Sequence, residues 1–183
     1  MSEHNPWQTN GTRVVYTNPW ITVREDSVIR PDGNHGIYGV VDTRIATGVI
    51  ALTESREVYL VGQYRYPTNH YSWEIIEGGS DPGEDPMNTA KRELQEEAGL
   101  IADNWIQLGD EVHLSNCFSS EIGFFYLAEG LTETSSSPEG TEVLQVKKLP
   151  FDTVMAMVHS GEIKDAMSIM GLHRAAHYLA NQR

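Results

Sequence analysis

Residues 78–100 read GGSDPGEDPMNTAKRELQEEAGL, and the second half of that stretch has the marks of a short helix. Asp85 can cap the first turn, Pro86 suits the first helical position, and Gly99 stands where a left-handed C-terminal cap belongs. Met87, Ala90, Leu94 and Ala98 recur at three- and four-residue spacing, which predicts the stripe that faces a core. Glu93, Glu96 and Glu97 stand beside that stripe. Like charges at these spacings cost about 0.2–0.5 kcal/mol per pair, so the cluster either meets a cation or accepts the cost in water. Gly78 and Gly79 predict a sharp reversal after the β-like run 71–76, giving a strand, a loop and a helix in succession. Glu84 precedes Arg92 at a distance that lets the guanidinium pair with it and fix the loop against the helix. Carboxylates on a rigid helix are hard oxygen donors suited to Mg²⁺ or Mn²⁺.

At these residues a resemblance becomes explicit. Gly78, Glu84, Arg92, Glu93, Leu94, Glu96, Glu97, Gly99 and Leu100 match the Nudix box position for position. The sequence resembles the ADP-ribose and nucleoside-diphosphate-sugar pyrophosphatase branch of the Nudix hydrolases. That resemblance implies an α/β (α+β) fold, an α/β/α sandwich around a mixed sheet, preceded by a β-rich N-terminal extension. It also implies a pyrophosphohydrolase dependent on Mg²⁺ or Mn²⁺, which splits a nucleoside diphosphate sugar into a nucleoside monophosphate and a sugar phosphate. Glu93, Glu96 and Glu97 would ligate metal with help from the main-chain carbonyl of Glu77. Water activated by the metal would attack one phosphorus in line. Gly78, Glu84 and Arg92 would support the carboxylates. Other readings are a different nucleotide substrate (a nucleoside triphosphate, a dinucleoside polyphosphate or a coenzyme) or a sensor that binds without turnover.

Composition narrows the setting. With 183 residues, 39% of them hydrophobic, the chain has material for one domain with a sizeable core. Its formal charge of -13 argues against long nucleic acid, whose binders use basic surfaces, yet suits a phosphorylated small molecule bridged by metal. No apolar run is long enough for a membrane span, and residues 1–10 lack the pattern of a signal peptide. The single cysteine, Cys117, fits a reducing compartment, so the expected location is cytoplasmic.

Residues 1–45 read as the N-terminal extension of a single domain, 1–183. Runs 13–16, 21–29 and 36–41 are strand-like around the turn Pro31-Asp32-Gly33. In the resembling enzymes such a sheet is commonly exchanged between subunits, which implies a homodimer. Trp20 within it can stack on a base or pack in a core or dimer interface. Runs 47–52 and 58–64 predict a hairpin about Glu54-Ser55-Arg56. The order Gln63-Tyr64-Arg65-Tyr66-Pro67, Trp73-Glu74 and then the glycine pair again resembles the nucleoside-diphosphate-sugar branch. Arg65 suits a substrate phosphate through its bidentate fork, or an ion pair with Glu74. Glu74 would be a polar wall of the site.

After the box, 105–113 reads as a strand, 115–120 as a loop and 122–128 as a strand. Resembling ADP-ribose pyrophosphatases carry a proline and a glycine in that loop, and this chain has neither. Glu121 fits the acidic residue that ends the loop and contacts substrate, or is a solvated charge. Residues 131–140 read as a polar loop before a strand at 143–149. The resemblance places the water-activating glutamate here, at Glu142 with Glu139 in reserve. Two helices, 151–159 and 166–181, close the chain, with Asp165 capping the second.

Overall fold

Helix α1 (Pro86–Ala98) starts and stops on local chemistry. The Asp85 carboxylate accepts the Met87 N–H at 3.1 Å, Pro86 opens the first turn, and Gly99 ends it at φ 63° and ψ 38°. Ala90 and Leu94 are fully buried, with Met87 and Ala98 packed beside them. The structure, a computed structural model of the chain, describes residues 4–136 and 143–182. They form two compact units, Met1–Arg44 with His113–Ile122, and Ile45–Val112 with Gly123–Arg183.

The first unit is an antiparallel meander of β1 (Gln8–Thr17), β2 (Ile21–Ile29) and β3 (His35–Thr43). Asn18 makes the first turn, its side-chain oxygen accepting the N–H groups of Trp20 and Ile21. Gly33 supplies a φ of 83° in the second. Segment 113–122 is pinned to β3 where the Val41 N–H donates to the Phe118 carbonyl at 2.8 Å.

The second unit holds β4 (Ala46–Ala51), β5 (Glu57–Arg65), β6 (His70–Glu74), β7 (Ile76–Gly79), β8 (Leu100–Gln107) and β10 (Ile122–Glu133, from Gly123 on). The two-residue β9 (Val112–His113) lies between the last two, and β11 (Gln145–Pro150), α2 (Phe151–Ser160) and α3 (Ala166–Ala180) follow. One mixed sheet runs β7-β4-β10-β8, with β4 and β10 parallel; a second runs β11-β5-β6. Alternation along the strands sorts the layers. Val49, Ala51, Tyr126 and Ala128 point to α1 and pack with Ala90 and Leu94. Gly48, Ile50 and Phe125 point the other way, to α3, where Gly171 permits close approach. A β-carbon on Gly171 would lie 2.9 Å from Phe125 and 3.0 Å from Ile75. Helices therefore cover both faces of the mixed sheet, as the α/β/α expectation has it. Among the described residues no helix is long and apolar enough to cross a membrane.

Several boundaries differ from the sequence reading. Residues 47–52 and 58–64 make no hairpin: β4 pairs with β7 and β10, β5 pairs with β6 and β11, and one isolated bridge joins Leu52 to Val58. The run 71–76 is two strands in different sheets, broken at Ile75. Gly78 and Gly79 do not reverse the chain but continue β7 against Thr47 and Ala46, and the turn falls at Gly83, φ 82°. Residues 131–133 extend β10 instead of opening a loop, because β8 begins at Leu100 and offers Ala102, Ile101 and Leu100 as partners.

Candidate active site

Arg92 gathers the box. Its Nε and Nη2 donate to the two oxygens of Glu84 at 3.2 and 3.0 Å, and Nη2 also reaches the Gly79 carbonyl at 3.1 Å. Glu84 in turn accepts the Asp81 N–H at 2.9 Å, so loop, strand end and helix share one guanidinium. Those bonds, the arginine's first, hold the Glu84 carboxyl down at about 2. The other nitrogen of Arg92 donates to Glu93 at 2.7 Å and to Glu96 at 2.9 Å.

Glu97 points inward. It is 3% exposed, and its Oε2 accepts the backbone N–H of Glu77 at 3.1 Å, tying α1 to β7. Gly78 follows Glu77 on that strand. A β-carbon there would fall inside the carboxyl group of Glu93, so the acid crosses the strand because this residue has no side chain. The Glu77 side chain turns to α3, where the Ser168 hydroxyl donates to it at 2.9 Å. Burial, then the neighbouring Asp165 carboxyl, pushes the Glu77 carboxyl well above the usual range.

Arg65 and Glu74 are ion-paired, Nη2 to Oε2 at 2.6 Å, with Nε donating to both carboxylate oxygens. The Glu74 side chain is 2% exposed while Arg65 keeps 41%. Arg65, His70, Ser72, Glu74, Lys164 and Asp165 line a cavity of about 550 Å³. A larger, mainly apolar groove of about 930 Å³ runs along α3 past Ile169, Met170 and Tyr178, and no box residue lines it.

Four carboxylates, Glu84, Glu93, Glu96 and Glu97, thus stand within reach of one helix and share Arg92 as a common cation for three of them. Among the described residues no three acids or histidines already converge as a metal cage. The donor set still fits a hard divalent cation: oxygen ligands from successive positions of a capped helix, with excess negative charge to compensate.

Comparison with known proteins decides the family. A model described as the NUDIX domain matches residues 42–167, and one described as the nucleoside diphosphate sugar hydrolase N-terminal domain matches residues 7–41. The chain belongs to the NUDIX family. It is 31% identical to an ADP-ribose pyrophosphatase of Mycobacterium tuberculosis over 175 residues, covering 94% of this chain and 84% of that protein. It is 31% identical to a GDP-mannose pyrophosphatase of Yersinia pestis over 138 residues, covering 71% and 69%. A crystal structure of an ADP compounds hydrolase superposes with a TM-score of 0.88 over 100% of this chain and 98% of that one, at 21% identity, which bears on the fold. As a NUDIX hydrolase, the protein acts on pyrophosphate bonds.

The structure brings Gly78, Glu84, Arg92, Glu93, Glu96, Glu97 and Glu77 of this NUDIX enzyme together on α1, β7 and the loop between them, with Arg65 and Glu74 at the neighbouring cavity. Arg65 Nη2 lies 3.8 Å from Glu77. Trp20, 64% exposed, and Glu121, whose carboxyl burial pushes upward, belong to the first unit. Glu139 and Glu142 lie outside the described residues. Sequence reasoning missed Ser168 and the buried bond between Thr89 and Ser80, 2.8 Å. A polar residue inside the apolar stripe of α3, between Met167 and Gly171, was the available signal for Ser168.

Proposed function

We propose that the chain is a pyrophosphohydrolase, dependent on Mg²⁺ or Mn²⁺, that cleaves a nucleoside diphosphate sugar to a nucleoside monophosphate and a sugar phosphate. One observation carries this: Glu93, Glu96 and Glu97 present carboxylates from adjacent turns of α1, clamped by Arg92 and Glu84 against β7. Those three acids and the Glu77 carbonyl would hold the cation. When bound, it would supply Lewis-acid charge against the diphosphate and acidify water at neutral pH. Glu97, fixed by the Glu77 N–H, would keep its carboxylate aimed from the buried side. Arg65 would bind a phosphate oxygen, with Glu74 orienting its fork, and Trp20 and Glu121 would contact the rest of the substrate. Glu142, with Glu139 in reserve, would orient or deprotonate the attacking water.

The names of the relatives and the match of residues 7–41 support a sugar-linked diphosphate over a triphosphate. A homodimer is the accompanying reading, supported by Val14, Val15 and Tyr16 standing exposed along β1; a cytoplasmic location is the reading that the single cysteine supports. The test is a panel of ADP-ribose, ADP-glucose, GDP-mannose, UDP-glucose, dinucleoside polyphosphates and nucleoside triphosphates with Mg²⁺ or Mn²⁺, products resolved chromatographically. A monophosphate and a sugar phosphate are expected. Inorganic pyrophosphate as the main product would overturn the sugar assignment.

A further inference from the structure

We propose that Ser168 is a positioning residue for the box: its buried hydroxyl, on a different helix, sets the backbone of β7 and through it the carboxylate of Glu97. The chain switches sheets at Ile75, between β6 and β7, and the backbone of that residue is paired in neither ladder. Ser168, fully buried, supplies the partner. Its Oγ accepts the Ile75 N–H at 3.0 Å and donates to Glu77 Oε1 at 2.9 Å. Both ends of the tripeptide Ile75-Ile76-Glu77 are therefore held by one oxygen atom. The next residue of that grip is Glu97, which accepts the Glu77 N–H.

The grip has little slack. Ser168 is itself anchored, its N–H donating to Asp165 Oδ2 at 2.6 Å in the first turn of α3. One turn later Gly171 sits so close to the sheet that a β-carbon would press on Ile75 and Phe125. Helix α3 cannot drift from the switch point without breaking that contact, and the Glu77 peptide, whose N–H donates to Glu97, inherits its position. Buried groups tied to one partner have no water to replace it.

The inference rests on the reading of Glu97 as a metal ligand, and the experiment separates the two. Ser168→Ala, Glu97→Gln and Glu77→Ala, which keeps the Glu77 peptide, are compared by the Mg²⁺ concentration giving half-maximal activity and by Mn²⁺ binding without substrate. Thermal unfolding of each is recorded alongside. Ser168→Ala is expected to raise the half-saturating Mg²⁺ by about 10–100-fold, as for other groups that orient a ligand. Substrate KM at saturating metal is expected to stay unchanged, since Ser168 touches no substrate-binding residue. Its effect does not add to that of Glu77→Ala. If Ser168→Ala fails to fold, Ser168→Cys, near in volume and a weak donor, shows the same shift in smaller measure. A lowered melting temperature with unchanged metal dependence overturns the positioning role. Unchanged metal dependence in Glu97→Gln overturns the ligand reading instead.

Discussion

Glu93 lays its carboxyl group over the backbone of Gly78, in the space that any β-carbon there would fill. The first box glycine is thus a matter of volume: β7 runs straight through it, paired with Thr47. Gly78→Ala should evict Glu93 from its place beside Arg92. Overpacking of this kind costs about 1–3 kcal/mol, and activity should fall along with urea resistance. A variant with ordinary activity would show that Glu93 has a second workable position.

Glu84 and Arg92 should make stability depend on acid. The folded carboxyl sits at about 2 against an ordinary 4.5, lowered first by the Arg92 hydrogen bond and then by the Asp81 N–H. A depressed folded value gives stabilisation that is complete above the unfolded value and is lost as pH falls from about 4.5 towards 2. Solvent screening limits the pair to about 1 kcal/mol. Urea unfolding of wild type and Glu84→Gln should therefore differ most at pH 7, with the gap shrinking below about pH 4.5 and closing only near pH 2. A constant gap would sink the assignment.

Helix α1 was legible because everything that defines it is local: an Asp-Pro start, a four-residue apolar stripe and a glycine stop. The Arg92–Glu84 pair was legible for the same reason, since both lie in one loop–helix segment. The pairing of β4 was not, because its partner β10 comes from the far half of the chain and no turn sequence specifies it. The apolar run 71–76 likewise hides a change of sheet, as a continuous strand and two strands meeting at a switch have the same composition. Ser168 and Glu77 are 91 residues apart and meet through the close approach at Gly171, which periodicity does not encode.

Arg65 shields a nearly buried carboxylate, and its removal should be felt in the fold. Arg65→Ala leaves Glu74, 2% exposed, without its guanidinium. Orphaning one member of a buried pair costs roughly 3–5 kcal/mol, and the 41% exposure of Arg65 puts this case near the lower end, about 3 kcal/mol. The double variant Arg65→Met, Glu74→Leu should recover most of that stability while remaining poor in substrate affinity. Full affinity in the double variant would remove Arg65 from the phosphate site.

Glu97→Gln should separate folding from chemistry. The amide oxygen of glutamine can still accept the Glu77 N–H, and a neutral amide is easier to bury than a carboxylate, so the melting temperature should hold or rise. What disappears is a full negative charge aimed from the buried side of α1. Loss of a direct ligand should exceed the 10–100-fold cost of disturbing an outer one, so kcat should drop by at least about 100-fold. Glu96→Gln offers the contrast: its side chain is 31% exposed and bonded to Arg92 one turn back, so its stability should change within about 0.5 kcal/mol. If Glu97→Gln turns over substrate at the wild-type rate with Mg²⁺, the buried carboxylate serves the helix–strand joint alone, and the cation must be sought elsewhere.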